Sequence, residues 1–297
     1  MKPPIVLLQE RDFGQKINAT FEFVVQHFKP LMKVLLYLAG PPALIGGFFM
    51  GAYQSNILGI TQNIGQSGSE GRFDSVSSIY SMGISVVFLV VFLGIANLVS
   101  ALAVNAYMLE YEEGNRQITP ETVWKRMKGY IGSGIGYSIV AFVLMFLGII
   151  FFIIPGIYIG VAFSLMYIIM MRENLGLGDT LRRCFTLIND KWWSTFGLLI
   201  IMGLIAGIVA YIFQIPSTVM MFLSVLKVDG GIGTVLNSIT GVIATVGSTL
   251  TRSLVLVAIV FQYYNLLERR DGVGIRKAIE NIGNTETPRA DRREEEF

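Results

Sequence analysis

The sequence predicts an all-α protein, a polytopic integral membrane bundle of six transmembrane helices with short amphipathic helices along its cytoplasmic edge. Three observations carry that prediction. Hydrophobic residues make up 53% of the 297, only 15% are charged, and the mean hydropathy is +0.60; a soluble domain carries charge on roughly a quarter of its residues. The apolar residues fall into runs near the 20 or so residues that carry a helix across a hydrocarbon core of about 30 Å. Finally, 20 of the 23 Lys and Arg residues fall in the termini and alternate connections. That asymmetry predicts that both termini lie in the cytoplasm.

Three regions follow: an N-terminal amphipathic interfacial segment (1–30), a six-span membrane domain (31–267) and a charged cytoplasmic tail (268–297). Ile5 to Leu8 is too short for a signal-peptide core and runs at once into "QERDFGQK", so no removal of a leader is expected. In "RDFGQKINATFEFVVQHFKP", Phe13, Ile17, Phe21, Val24, Val25 and Phe28 recur at helical spacing and form one apolar face, expected to lie on the membrane. The first span is Leu31 to Ala52. The Gly-, Ser- and Gln-rich stretch from Gln54 to Ser81 reads as a loop, and the second span is Met82 to Met108.

"TPETVWKRMKGY" opens a short interfacial helix with Thr119 as N-cap and Pro120 at the first helical position. Spans three and four, Gly134 to Ile154 and Ile157 to Met171, form a tight hairpin. Pro155 is expected to stop the helix there and Gly156 to allow the turn. "GDTLRRCFTLINDKWW" sets Leu181, Phe185 and Ile188 against Arg182, Arg183 and Asn189, a third amphipathic helix leading into span five, Trp193 to Phe213. Pro216 to Leu226 suggests a short surface helix before "DGGIG". The sixth span ends near Leu267.

The stretch "IIPGIYIGVAFSLMYIIMMRENLGLGDTLRRCFTLINDKWWSTFGLLIIMGLI", with "YYNLLERRDG" near the end, resembles the membrane domain attached to some bacterial glycerophosphodiester phosphodiesterases. It also resembles stand-alone six-helix bacterial proteins related to that domain. The resemblance rests on Pro155 and Gly156, on Glu173 closing a span, on the Leu181-Arg182-Arg183 helix, and on Trp193 with Gly197. It spans about Ala19 to Gly283; Cys184 stands where serine is expected, and Asn189-Asp190 where glycine or a basic residue is commoner. It implies a shape and a membrane, with Pro155, Gly156 and Glu173 as structural positions. It does not imply the phosphodiesterase reaction, which belongs to a separate barrel domain of about 250 residues.

Chemistry-bearing motifs are few. One cysteine and one histidine, Cys184 and His27, cannot assemble a usual zinc site, and no cofactor or nucleic-acid partner is expected. "GSGIG" at Gly132 to Gly136 precedes a membrane span instead of joining a strand to a soluble helix, so it reads as close packing and not as a nucleotide loop. Gly47-xxx-Gly51 and Gly203-xxx-Gly207 are small-xxx-small pairs, suited to packing within the bundle or to a homo-oligomer. Glu110, Glu112, Glu113, Glu173, Asp179 and Asp190 are expected to be solvated partners for nearby Arg and Lys. No nucleophile, base and orienter can be assembled by spacing, so an enzyme is not expected.

The residues expected to contact lipid or ligand are Lys125, Arg126, Arg182, Arg183, Trp193 and Arg252, with anionic headgroups as partners. Arg252 interrupts the apolar sixth span. It shares a helical side with Asn237, Gly241, Thr245, Ser248 and, further down, Gln262, which predicts an inward guanidinium that donates to protein oxygens or to a lipid phosphate entering between helices. Two functions remain open: a non-enzymatic membrane protein that organises lipid or scaffolds a partner, and a small transporter with a site near the membrane midplane.

Overall fold

The computed structural model describes residues 4–63, 69–151, 153–226, 233–274 and 276. Among these every regular element is helical, as the composition requires. Backbone polar groups in a hydrocarbon setting must be satisfied within their own segment, and a helix does so. The helices are α1 (Phe13–Gln26), α2 (Phe28–Leu38), α3 (Gly40–Asn63), α4 (Ser69–Glu112), α5 (Pro120–Met127), α6 (Ile131–Phe151), α7 (Ile153–Phe163), α8 (Met166–Glu173), α9 (Leu177–Ile188), α10 (Trp192–Val225), α11 (Gly233–Thr251) and α12 (Ser253–Asp271). Five helical segments are long and apolar enough to cross a membrane, and six if the bent pair α2–α3 is one span.

The expected first span, Leu31 to Ala52, is broken at Ala39, where α2 and α3 meet at 64°. The cause is Pro41-Pro42, which remove two backbone donors and force their rings against the preceding turn. The expected loop from Gln54 to Ser81 is mostly helix. α3 runs on to Asn63 and α4 begins at Ser69, tied by Ser81 Oγ donating to Asn56 Oδ1 at 2.9 Å. Residues 64–68, most of the "DGGIG" turn and the tail beyond 276 lie outside the described residues. Pro216 does not start a separate helix: α10 passes through it to Val225, and Ser217 Oγ there donates to Gln54 Oε1 of α3 at 3.1 Å.

The hairpin of spans three and four is present, and its glycines do a different job from the one expected. Pro155 lies in the first turn of α7, where a missing N–H costs nothing. Gly156 is helical, and a Cβ there would lie 2.5 Å from Ile149 Cγ1, so its role is close approach of α6 and α7. α7 and α8 together run further than the expected fourth span and are broken at Ser164, whose hydroxyl donates to Val161 O at 2.7 Å.

The amphipathic elements form with the expected boundaries. Thr119 caps α5 in a reciprocal box with Thr122, with Pro120 at the first position. The face of α1 is rotated from the expected one: Lys16, Ala19, Thr20, Phe23 and Val24 are buried, while Val25 and Phe28 are exposed. Phe13, Ile17 and Phe21 pack on Leu198, Met202 and Ala258 instead of facing outward. Tertiary packing with α10 and α12 overrides the apolar count along a single helix.

The dense core sits at the basic end, around the fully buried Phe23, Leu31, Leu35, Tyr107, Met108, Met127, Phe261, Tyr263 and Tyr264. Away from it α3, α4, α10 and α11 pack side by side. α3 and α11 touch through backbone, since a Cβ on Gly47 would lie 2.5 Å from Val242 Cα, one on Gly51 would fall closer still to Ser238, and one on Gly241 would lie 2.8 Å from Gly47 O. Gly203 and Gly207 have no such neighbours within 4 Å. Gly51→Ala should therefore lower the thermal unfolding midpoint in detergent by several degrees, for an overpacking cost of about 1–3 kcal/mol. Gly203→Ala should leave it unchanged or raise it; equal losses in both would contradict the backbone contact.

Candidate functional site

At the basic end, four helices are joined by one chain of charged and phenolic groups. Arg172 on α8 binds Glu112 on α4 twice, Nη2 to Oε1 at 2.8 Å and Nε to Oε2 at 3.1 Å, the fork geometry that makes such pairs strong. Its guanidinium also lies 5.2 Å from the ring centre of Tyr264 and 5.8 Å from that of Tyr263, within cation–π range. Tyr264 donates its hydroxyl to Glu112 Oε2 at 2.6 Å, and Tyr263 donates to Glu173 Oε1 at 2.8 Å. Glu173 in turn accepts from Arg183 Nε at 2.9 Å, and Arg183 reaches Asp271 on α12 through Nη2. A second knot ties α5 to α4: Arg126 donates to Glu110 Oε1 at 2.9 Å and to Glu113 Oε2 at 2.6 Å. The Arg126 hydrogen bond holds the Glu113 carboxyl below the usual range.

These contacts sort the expected site residues. Arg126 and Arg183 face carboxylates, so their guanidinium groups serve internal ion pairs instead of standing free for phosphates. Lys125 pairs with Glu121 one turn away, both largely exposed, so the pair is screened by solvent and contributes little. Arg182 is exposed and in no ion pair among the described residues, and Trp193 is 77% exposed. Glu173 joins α8 to α9 and α12. Glu110, Glu112 and Glu173 are only partly accessible, where full solvation was expected.

Arg252 departs most from expectation. It sits at the junction of α11 and α12, exposed, and its guanidinium makes no hydrogen bond or ion pair among the described residues. The polar stripe expected beside it is indeed inward, with Asn237 and Thr245 buried. That face, however, meets α3 at Gly241, too close for even one added carbon. A long side chain has no room there, and Thr251 and Ser253, both buried, take the inner positions at the junction.

Two features escaped sequence reasoning. Lys16, on the nominally polar side of α1, is 2% exposed and donates from Nζ to Gln262 Oε1 at 2.8 Å and to Ser194 Oγ at 3.0 Å; Gln262 Nε2 continues to Thr195 Oγ1 at 2.7 Å. Burial, helped by the charges of Arg269 and Lys191 against the opposing Asp12, lowers its amine to about 8. The available signal was Gln262, a polar residue within an apolar span that needed a donor. The second feature is a cavity of about 1120 Å³ beneath the N-terminal strand of chain, lined among others by Ile5, His27, Tyr107, Tyr111, Arg116 and Ile118. Tyr111 closes one wall, its hydroxyl accepting from Ile5 N at 2.7 Å. His27 Nδ1 lies 3.2 Å from Phe23 O, which places the ring proton on that nitrogen, and burial lowers the pKa of the ring.

No family model, curated protein or solved structure matches the chain.

Two measurements test this site. The Lys16 amine titrates lower in the folded protein than its usual 10.5, so between about 8 and 10.5 the unfolded chain binds more protons and stability rises with pH. The wild type should gain on Lys16→Met by up to about 3 kcal/mol across that window, read as thermal midpoints from pH 7 to 10.5. A difference that did not vary with pH would remove Lys16 as its source. Separately, Arg172→Met should destabilise by about 3–5 kcal/mol because it leaves the Glu112 carboxylate, beside Tyr264, without its cation. The double variant Arg172→Met with Glu112→Gln should recover part of that loss.

Proposed function

We propose that the protein is an integral protein of the bacterial cytoplasmic membrane, with its basic end in the cytoplasm, that engages anionic lipid headgroups and organises lipid or a membrane partner without catalysing a reaction. One observation carries the reading. Around the basic end three exposed aromatic side chains each stand beside an exposed lysine: Phe28 with Lys29, Trp124 with Lys128, and Trp193 with Lys191. None of the three lysines is in an ion pair among the described residues. Aromatic rings with cations beside them suit the interface between hydrocarbon and an anionic leaflet. Four carboxylates at this end, Glu110, Glu112, Glu113 and Glu173, are taken by Arg126, Arg172 and Arg183.

The likeness to the membrane domains of glycerophosphodiester phosphodiesterases is proposed on the same footing. It is supported by the close α6–α7 hairpin and by the position of Glu173. A second reading, a small transporter with a site near the midplane, is favoured by the 64° bend at Ala39, since discontinuous spans are the usual carriers of such sites.

Lys29→Gln, Lys128→Gln and Lys191→Gln together should reduce the stabilisation given by added phosphatidylglycerol relative to phosphatidylcholine. The loss should approach about 1 kcal/mol per lysine at low salt and shrink as salt is added. An unchanged preference would count against the headgroup reading. For orientation, an impermeant thiol reagent applied to intact cells should label Ser67→Cys and spare Asn115→Cys. Cys184 is fully buried and adds no background. The opposite labelling pattern would reverse the topology.

A further inference from the structure

Arg252 is an exposed cation inside the long apolar stretch Val235–Asp271. Toward the basic end it lies 16 residues before Glu268, about 24 Å along a helix. In the other direction the exposed Ile243, Ile239 and Val235 of α11 continue the apolar face for about another 25 Å. The whole apolar stretch, Val235–Asp271, is 37 residues, longer than the 20 or so that cross a hydrocarbon core, and Arg252 lies near its middle. A guanidinium in such a position is costly unless something offsets its charge.

Among the described residues no hydrogen bond or ion pair supplies that offset. No Asp or Glu lies between Glu22 and Glu70, Asp74 and Glu110, Glu121 and Glu173, Asp190 and Asp229, or Asp229 and Glu268. A second copy therefore brings no carboxylate to this depth from its own spans. Nearby backbone carbonyls are already engaged: Thr245 O accepts from Ser248 and Thr249, Gly247 O from Thr251, and Leu250 O from Ser253. That run of hydroxyls bonding back onto their own helix also accounts for the break at residue 252, because such bonds loosen and bend the ladder. Tyr167 on α8 lies within range of the Arg252 charge. Its hydroxyl pairs with Ser138 Oγ at 2.7 Å, and Ser138 donates to Gly134 O at 2.6 Å, so the Tyr167 proton points inward and a lone pair is left over. One lone pair does not satisfy five N–H donors.

We propose that Arg252 is an intramembrane phosphate site: its planar fork binds the phosphate oxyanion of a phospholipid headgroup, drawn below the interface and seated at the α11–α12 break on the side that faces Tyr167. The assignment rests on the membrane reading above and adds to it a stoichiometric lipid at a defined depth. Arginine is suited to this because its two parallel N–H groups match two phosphate oxygens. The phosphate is common to zwitterionic and anionic phospholipids, so this site should not share the headgroup preference of the lysine ring.

The test uses purified full-length wild type, Arg252→Leu and Arg252→Lys, with copurifying lipid counted by native mass spectrometry and thermal midpoints read after delipidation and after adding lipid back. Wild type should retain one phospholipid more than Arg252→Leu, with Arg252→Lys in between. Phosphatidylcholine and phosphatidylglycerol should both raise the wild-type midpoint by several degrees more than that of Arg252→Leu, and inorganic phosphate should not. Arg252→Leu itself should fold, because it places an apolar side chain on an apolar exposed surface, and its delipidated midpoint should equal or exceed that of the delipidated wild type. Equal lipid counts and equal responses in wild type and Arg252→Leu would overturn the site. An equal response to inorganic phosphate would overturn the lipid as its source. If the Lys29, Lys128 and Lys191 variant lost its phosphatidylglycerol preference while Arg252→Leu behaved as wild type, the membrane reading would stand and only the Arg252 assignment would fail.

Discussion

The carboxylate of Glu112 holds the basic end together. Arg172 and Tyr264 converge on it from α8 and α12, and the remaining links in the chain depend on the positions they take. Tyr263, the neighbour of Tyr264, is thereby aimed at Glu173, and Glu173 at Arg183, so that α9 is held against α8 and α12 by the same set of charges. Such pairs contribute little net stability when the desolvation of both partners is counted, but a half-removed pair is costly. Their main effect is to exclude other arrangements. Helices whose outer faces are almost uniformly apolar could rotate or slide against one another at small cost, and this chain of specific partners permits one register at the basic end.

The two ends of the molecule are built on different principles. At the basic end large side chains such as Tyr107, Met108, Phe261 and Tyr264 are buried on all sides. At the other end packing is by small residues, with the backbones of α3 and α11 in contact through Gly47, Gly51 and Gly241. The α6–α7 hairpin belongs to neither scheme: Phe142, Phe146, Ile150, Phe151, Ile153 and Ile154 are all exposed. In water that surface would be an aggregation hazard, whereas under the proposed membrane placement it is ordinary lipid-facing surface.

How much of this was legible in the sequence depended on whether the signal was local. Thr119 and Pro120 announced the start of α5 because a cap is decided within four residues. The hairpin was legible because no charge interrupts residues 129–171. Pro41 and Pro42 were equally local and were passed over because hydropathy continues across them; the bend is set by backbone chemistry that a hydropathy sum does not contain. The rotation of α1 was not legible, since Phe23 and Lys16 became interior only when Phe261 and Gln262 packed against them. Arg183 was read from its own helix as a cation facing a membrane; its partner Asp271 lies 88 residues away.

Three spans are interrupted, at Ala39, at Ser164 and at Arg252, and the interruptions share a physical setting. On the basic side of each, the chain is deeply buried: Leu31, Val34 and Leu35 on α2, Ile168 to Met171 on α8, Val257 to Leu267 on α12 apart from Ile259. On the other side exposed apolar residues take over, Leu44, Ile45 and Phe48 on α3, Ile153, Ile154 and Ile157 on α7, Val235, Ile239 and Ile243 on α11. A straight helix fits both halves only if a close-packed protein core and the more exposed surface beyond it demand the same axis; at Ala39 the two axes differ by 64°. Proline in one span and back-bonding hydroxyls in the other two let each half follow its own neighbours. Each break thus lies between a buried half and a half whose far end is exposed, and Arg252 stands at the one break where the residue is charged.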